Sequence, residues 1–229
     1  MTASDPFIAR ADRILDAAGD LLLRHGYRKV TIEDVARRAK IGKGTVYLHW
    51  RTKDELFVAL LARESITMCE RIVARLREDP ENALPHRLMR AVYLIVTGQP
   101  LLMAMATGDA EILGRLAESE VNEYGVAASE RFLDVLGEYG LIRDDVPNLT
   151  YTISAATAGF FTAEPPEQEP KLDEEARGDA LAHVIQAAFE PPRRPRRSVL
   201  VGAAAAITEI FTDLTPSYRA WIYRQEDSA

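Results

Sequence analysis

The chain has 229 residues, 47% hydrophobic and 28% charged, with a formal net charge of -7; this is the profile of a globular polypeptide, and no uninterrupted apolar run reaches the roughly 18 to 20 residues that span a bilayer. The average conceals a division: residues 1–53 carry 11 Lys+Arg against 6 Asp+Glu and the rest 17 against 29, a basic head on an acidic body that suits contact with a polyanion at one end only. Asp5, Asp12, Asp16 and Asp20 break the stretch where a signal peptide would need an apolar core, and the single Cys69 permits neither an intramolecular disulfide nor, by itself, a zinc site, so a cytoplasmic protein is expected.

In chain order, Ile14, Ala18, Leu21 and Leu22 share one face of a helix between Arg10 and His25, and Gly26 follows where a left-handed cap would end it. Thr31 then stands before "IEDVARRA" with Asp34 three residues on, where a capping box prefers Glu or Gln; the Thr31 hydroxyl is expected to satisfy an early backbone N–H of a second helix that runs to about Ala39. Ile41 and Gly42 make a tight turn, and "KGTVYLHW" is long enough for only about two helical turns. Thr52 caps a long helix from Lys53, whose Leu56, Leu60, Ile66, Ile72, Val73 and Leu76 keep helical spacing until Asp79 and Pro80 stop it.

Beyond that point the segments Leu84–Val96, Leu101–Ala106, Ala110–Gly137, Asn148–Glu164 and Leu172–Glu190 read as helices. They are separated by Pro85, Gly98-Gln99-Pro100, Gly140, Pro147 and "EPPEQEP". The proline- and arginine-rich "PPRRPRRS" reads as a solvated connector, and "VLVGAAAAITEIFTDL" as one more apolar helix before a polar tail. No strand alternation is present. The expected class is all-α, with a three-helix unit over residues 1–53 followed by a larger helical body over 54–229.

Two short helices joined by a turn of three to four residues describe a helix-turn-helix, whose second helix enters the major groove of DNA. Gly42 and Gly44 permit close backbone approach, Lys43 reaches a phosphate or a guanine edge, and Thr45, Tyr47 and His49 carry donors for phosphate oxygens. Lys53 in the first turn of the long helix and Thr31 at the start of the second helix are placed for phosphate as well. Ile41, Val46 and Trp50 are assigned to the core of the small head, the ring of Tyr47 packs while its hydroxyl faces out, and Arg37 and Arg38 lie on a solvated face. "GKGT" lacks the full spacing and the preceding strand of a phosphate-cradling loop, so nucleotide hydrolysis is not expected.

The stretch "TIEDVARRAKIGKGTVYLHWRTKDELFVALL" resembles the DNA-binding segment of the TetR family of bacterial transcriptional regulators, with the close match covering about residues 10 to 62. The family's Thr before helix two matches Thr31, its Lys-Gly-Thr matches Lys43, Gly44 and Thr45, its first Tyr matches Tyr47, its His-aromatic pair matches His49 and Trp50, and its following Lys matches Lys53. Family members often have Ser or Thr where this chain has Gly42 and a second Tyr where it has Leu48, so an operator sequence does not transfer.

For the body the resemblance implies ligand binding and dimerisation. Met89, Tyr93, Met103, Tyr124, Phe132 and Phe160, with Met68, Met105 and Phe161, are of the types that line an adaptable apolar cavity. Asp109, Glu111, Glu118 and Glu120 read as a solvated helix face, and His86 and His183 lack metal-ligand spacing. Small residues at Ala155, Ala158 and Gly159 in one helix and Ala180, Val184 and Ala187 in another are candidates for a dimer interface, with the helix "VLVGAAAAITEIF" as a rival.

The chain is therefore expected to be a homodimeric regulator, a repressor released from a double-stranded DNA operator by a small-molecule effector, with no cofactor, no metal, no catalytic residue and no membrane partner. A helical small-molecule carrier or protein-interaction module is the alternative, distinguished by having no use for a basic helix-turn-helix.

Overall fold

The computed structural model describes residues 6–163 and 172–223 and, for Glu120, Asn122 and Glu123, the backbone only. The connector "EPPEQEP", residue Glu164 at the end of one expected helix, the side chain of Glu120 and the tail beyond Tyr223 lie outside the described residues. Among the described residues every regular element is helical, as expected for an all-α chain.

Three helices form the head: α1 (Pro6–Lys29), α2 (Ile32–Ala39) and α3 (Lys43–Tyr47). α1 begins four residues earlier than the apolar pattern alone indicated and contains the expected break at Gly26, whose backbone lies at φ 72° and ψ 159°. A side chain there would also collide with the carbonyl oxygen of Glu111, so glycine is required both by conformation and by space. The Thr31 cap of α2 forms as expected, its hydroxyl accepting from the Asp34 amide at 3.2 Å, and Asp34 completes the box in place of Glu or Gln, its carboxylate accepting from the Thr31 amide at 3.1 Å. Lys40 closes α2 in the left-handed region, and Gly42 opens α3 from extended backbone. Ile14, Leu15, Leu22, Val35, Val46 and Trp50 bury their side chains where these helices meet.

The long helix α4 (Lys53–Glu78) starts at the Thr52 cap, whose hydroxyl accepts from the Glu55 amide at 3.1 Å. Its first turns belong to the head core through Leu56, Phe57 and Leu60, and its later turns belong to the body through Ile66, Cys69, Ile72 and Leu76. One continuous helix thus joins the two regions.

In the body, a 3-10 turn at Pro80–Ala83 leads into α5 (Pro85–Thr97) and α6 (Pro100–Thr107). The segment expected as a single helix from Ala110 to Gly137 is divided into α7 (Ala110–Leu113), a 3-10 turn (Gly114–Glu118) and α8 (Glu120–Glu138). The division falls at Gly114, held at φ 55° and ψ -128°, a conformation closed to other residues without strain. α9 (Leu149–Thr162) and α10 (Glu174–Phe189) then pack with α5 around Tyr93, Ile153, Leu181, Ile185 and Phe189.

α11 (Arg197–Ile222) runs antiparallel to α4, with Arg194 beside Glu81 before its start and Tyr223 beside Asp12 at its end. It continues eight residues past Leu214, through Pro216, where a polar tail was expected. The reason is an unbroken buried stripe at Leu214, Tyr218 and Ile222, each four residues on from the last. By length and composition alone this helix would cross a bilayer, although Glu209 and Asp213 interrupt its apolar run. Its buried residues pack against α4 and α8, while its other side, around Val201, stays exposed and remains a candidate for a dimer interface.

Candidate nucleic-acid interface and body cavity

α3 projects from the head with only Val46 buried among its five residues. Lys43 lies on its outer side, ion-paired with Glu33 of α2, and its ammonium sits 5.7 Å from the centre of the Tyr47 ring. That carboxylate partner raises the Lys43 pKa and keeps it cationic. Tyr47 is 42% exposed and Leu48, just after the helix, is 72% exposed. An apolar side chain that exposed is costly to solvate and suited to a thymine methyl in a groove. Thr45 is half-buried beside them.

Gly44 has open space where a side chain would be: nothing in the chain lies within 4 Å of its missing Cβ, and its backbone is plain helix. A helical glycine costs about 1 kcal/mol relative to alanine, and no internal packing demands it. A close approach from outside would.

Three expected contacts are placed differently. His49 is 6% exposed, wedged between the rings of Phe7 at 4.2 Å and Trp50 at 5.3 Å. Burial and the nearby Arg10 hold its imidazole below the usual histidine pKa, and its Nε2 has no hydrogen-bond partner among the described residues. It therefore packs beneath the reading helix and does not donate to phosphate from its surface. The Lys53 ammonium donates to the Tyr27 carbonyl at 2.5 Å and lies 4.1 Å from the centre of that ring, where burial lowers its pKa. The acidic Asp54 and Glu55 occupy the first turn of α4 in place of an anion. Thr31 is exposed, but its hydroxyl is held by the cap, donating to the Asp34 carboxylate at 2.6 Å.

A cluster without any local signature along the chain clamps head to body. Asp54 accepts from both the Tyr27 hydroxyl and Arg115, and the Arg115 guanidinium also donates to the Tyr27 oxygen at 3.2 Å. Gly114 lets Tyr27 press against its backbone, and Gly26 lets α7 press against α1. The signal available was two glycines far apart in sequence, and only the fold shows that Gly26 meets Glu111 and Gly114 meets Tyr27 across the same contact.

The body contains a cavity of about 340 Å³ between α4, α5, α8, α9 and α11. Of the residues expected to line it, Met89 and Phe132 do so, as do Met68 and Phe161. Tyr93 is fully buried in the packing of α5 with α10, its hydroxyl bonded to Glu174 at 3.0 Å, and Tyr124 stacks edge-on against Trp221 at the surface. Met103 and Phe160 pack in the core away from the lining. Cys69, Val92, Thr157, Phe211 and Tyr218 line the cavity without having been singled out. A larger open cleft at the far end holds Arg87, Arg143 and Arg194, each already ion-paired with an acidic neighbour.

The expected dimer residues are exposed, and one of them, Ala158, also lines the cavity. Ala155, Ala158 and Gly159 of α9 and Ala180, Val184 and Ala187 of α10 are all exposed, together with Tyr151 at 76%.

Residues 14–60 match the family described as bacterial regulatory proteins, tetR family. The chain is 31% identical over 119 residues to the uncharacterised HTH-type transcriptional regulator YhgD of Bacillus subtilis, half of this chain and 60% of that protein. It is 33% identical over 120 residues to the HTH-type transcriptional repressor KstR of Rhodococcus jostii, 51% of this chain and 54% of that protein. The chain thus spans less than two thirds of these relatives. Among solved structures its fold is similar to a gamma-butyrolactone receptor (ArpA-like protein), at 20% identity and a TM-score of 0.52 over 88% of this chain and 97% of that one. It is also similar to AibR in complex with isovaleryl coenzyme A and operator DNA, at 20% identity and a TM-score of 0.54 over 76% of this chain and 97% of that one.

Proposed function

We propose, from the match of residues 14–60 to the bacterial regulatory proteins of the tetR family, that the chain is a homodimeric transcriptional repressor of that family, released from operator DNA by a small molecule. The observation that carries the reading is α3. A five-residue helix with one buried side chain contributes little to a core, yet it combines an unobstructed Gly44 with outward Lys43 and Tyr47, a half-buried Thr45 and, just after its end, an exposed Leu48. Such a surface has a use only when something docks on it, and the net positive charge of residues 1–53 suits a nucleic acid. The repressor KstR and the operator-bound AibR, among the similar proteins, support the same reading.

In this reading residues 1–53 are the DNA-binding head and 54–229 the effector-binding and dimerising body. Lys43, Gly44, Thr45 and Tyr47 meet DNA directly, with Leu48 added to the expected set. Thr31 and Lys53 position the reading helix through the α2 cap and the Tyr27 contact, and His49 packs beneath it. The effector enters the cavity beside α4. Since α4 is continuous from the head to the cavity wall, an effector that favours one tilt of α4 changes the spacing of two heads and thereby their fit to DNA. The protein acts where its operator is, in the cytoplasm, and the reading assigns it no catalytic step.

Fluorescence anisotropy of the purified protein on duplex fragments from its own promoter region, against scrambled duplex and across a salt series, tests this. Sequence-selective binding with two protomers or more per site is expected. Binding that ignores sequence on genomic fragments as well, after extraction of any bound small molecule, would remove the regulator reading and leave a helical carrier.

A further inference from the structure

The body cavity has a chemical character that narrows its occupant. Among the described residues that line it there is no Lys, Arg, His, Asp or Glu. Its walls are side chains such as Ile72, Leu88, Val92, Phe132 and Leu214, interrupted by the hydroxyls of Ser129, Ser154, Thr157 and Tyr218, two of which donate to backbone carbonyls of their own helices. The Ser129 hydroxyl donates to the Gly125 carbonyl at 2.9 Å, and the Thr157 hydroxyl donates to the Ile153 carbonyl at 2.8 Å. Tyr218 is hydrogen-bonded to Ser65, whose own hydroxyl donates to the Leu61 carbonyl at 3.0 Å. Burial pushes the Cys69 thiol up to about 12 and the Tyr218 phenol to about 12, so both stay neutral at physiological pH.

What Ser129 and Thr157 retain is acceptor capacity. A carboxylate or phosphate brought into this space would lose water and gain no counter-charge, only neutral hydroxyls such as that of Ser154. An ammonium would meet acceptors but no counter-charge. A neutral molecule with one hydroxyl donor loses little, because an acceptor is available for its single proton and the walls take the rest.

We propose, resting on the effector reading above, that this cavity takes an uncharged, mainly apolar molecule bearing a single hydroxyl, of the class of medium-chain alcohols, and discriminates against the acids and amines of the same skeleton. Discrimination follows from the absence of charge in the lining, and the preference for a hydroxyl from the acceptors on Ser129 and Thr157.

The test uses three probes with one tail and different heads: 1-octanol, octanoate and octylamine, titrated calorimetrically into the full-length protein at neutral pH and up to millimolar concentration. One octanol per chain is expected, with octanoate and octylamine at least roughly thirtyfold weaker. Octanoate or octylamine binding as tightly as octanol, or no binding of any probe, would overturn the proposal. Ala128→Leu, which fills part of the cavity, is expected to abolish octanol binding. Thr157→Val, equal in shape and safer for folding, is expected to weaken octanol about threefold to tenfold while leaving the charged probes unchanged; octanol binding unaffected by both variants would place it elsewhere and overturn the site. Operator anisotropy run with each probe separates the two claims: selective octanol binding that leaves operator affinity unchanged would sustain the ligand class and overturn the effector role.

Discussion

At position 44 a side chain is missing where one would be cheap, and that absence is open to test. Gly44→Ala is expected to leave the stability of the free protein unchanged or raise it by up to about 1 kcal/mol, while lowering operator affinity about tenfold or more. Denaturant unfolding and anisotropy measured on the same preparation check this, and a matched loss in both would give the glycine a structural role instead. Lys43→Ala breaks an ion pair that is about half exposed on both sides, so stability should shift by less than about 1 kcal/mol. The salt dependence of operator binding should become shallower by about 0.9 in logarithmic slope for every DNA phosphate that each subunit no longer neutralises; an unchanged slope would remove Lys43 from the phosphate-binding set. His49 shows where residue-level reasoning stopped. Its motif position was legible, but the ring that covers it, Phe7, comes from the start of α1. Because its folded-state pKa is lowered, the unfolded chain takes up the proton first as pH falls below about 6.5. Its stabilising contribution is therefore present above that pH and is lost as pH falls through the folded value. His49→Phe should flatten the acid limb of a melting-temperature profile relative to the parent protein, and coincident profiles would refute this.

At the scale of elements, periodicity and caps were enough for the helices that carry their own signals. Thr31 with Asp34 and Thr52 with Glu55 start α2 and α4 as the sequence reads, because a cap is a local hydrogen bond between near neighbours. α7 was invisible for the opposite reason. Residues 110–137 read as one helix, and at the break Gly114 packs against Tyr27, a side chain from the head that no local pattern brings near. The Asp54, Tyr27 and Arg115 cluster likewise joins three parts of the chain that no local pattern links. The packing of α7 on α1 makes Gly26 and Gly44 instructive opposites. Gly26 combines a positive φ with the carbonyl of Glu111 against its missing side chain. Gly26→Ala should cost more than about 1 kcal/mol in denaturant unfolding, with α7 pushed away from α1. Equal unfolding midpoints for the parent and Gly26→Ala would mean that α7 is not pressed on α1 in solution.

At the scale of the molecule, the exposed faces of α9 and α10 decide whether one chain can act alone. Small residues at Ala155, Ala158 and Gly159 were legible as a stripe, but a stripe serves equally well inside a core. Only the packing of α5 against the other sides of these helices shows that it faces out. A head with one short reading helix touches little DNA, and helix-turn-helix proteins enlarge the footprint by placing two heads roughly 34 to 36 Å apart on successive turns. If the α9 and α10 faces pair, a buried carboxylate at their centre has no partner and must split the pair. Ala155→Glu changes an exposed residue of the isolated chain that does not line the cavity, so its helicity by circular dichroism should match that of the parent. Sedimentation velocity should show monomers where the parent shows dimers. Operator affinity should fall about a hundredfold or more, and the logarithmic salt slope should drop to about half, since each head keeps its own phosphate contacts but binds singly. The halved slope distinguishes loss of the second head from damage to the first, which would lower affinity without that ratio. A variant that remains dimeric with the parent's slope would move the interface off α9 and α10, and the exposed side of α11 around Val201 would then be the surface to probe.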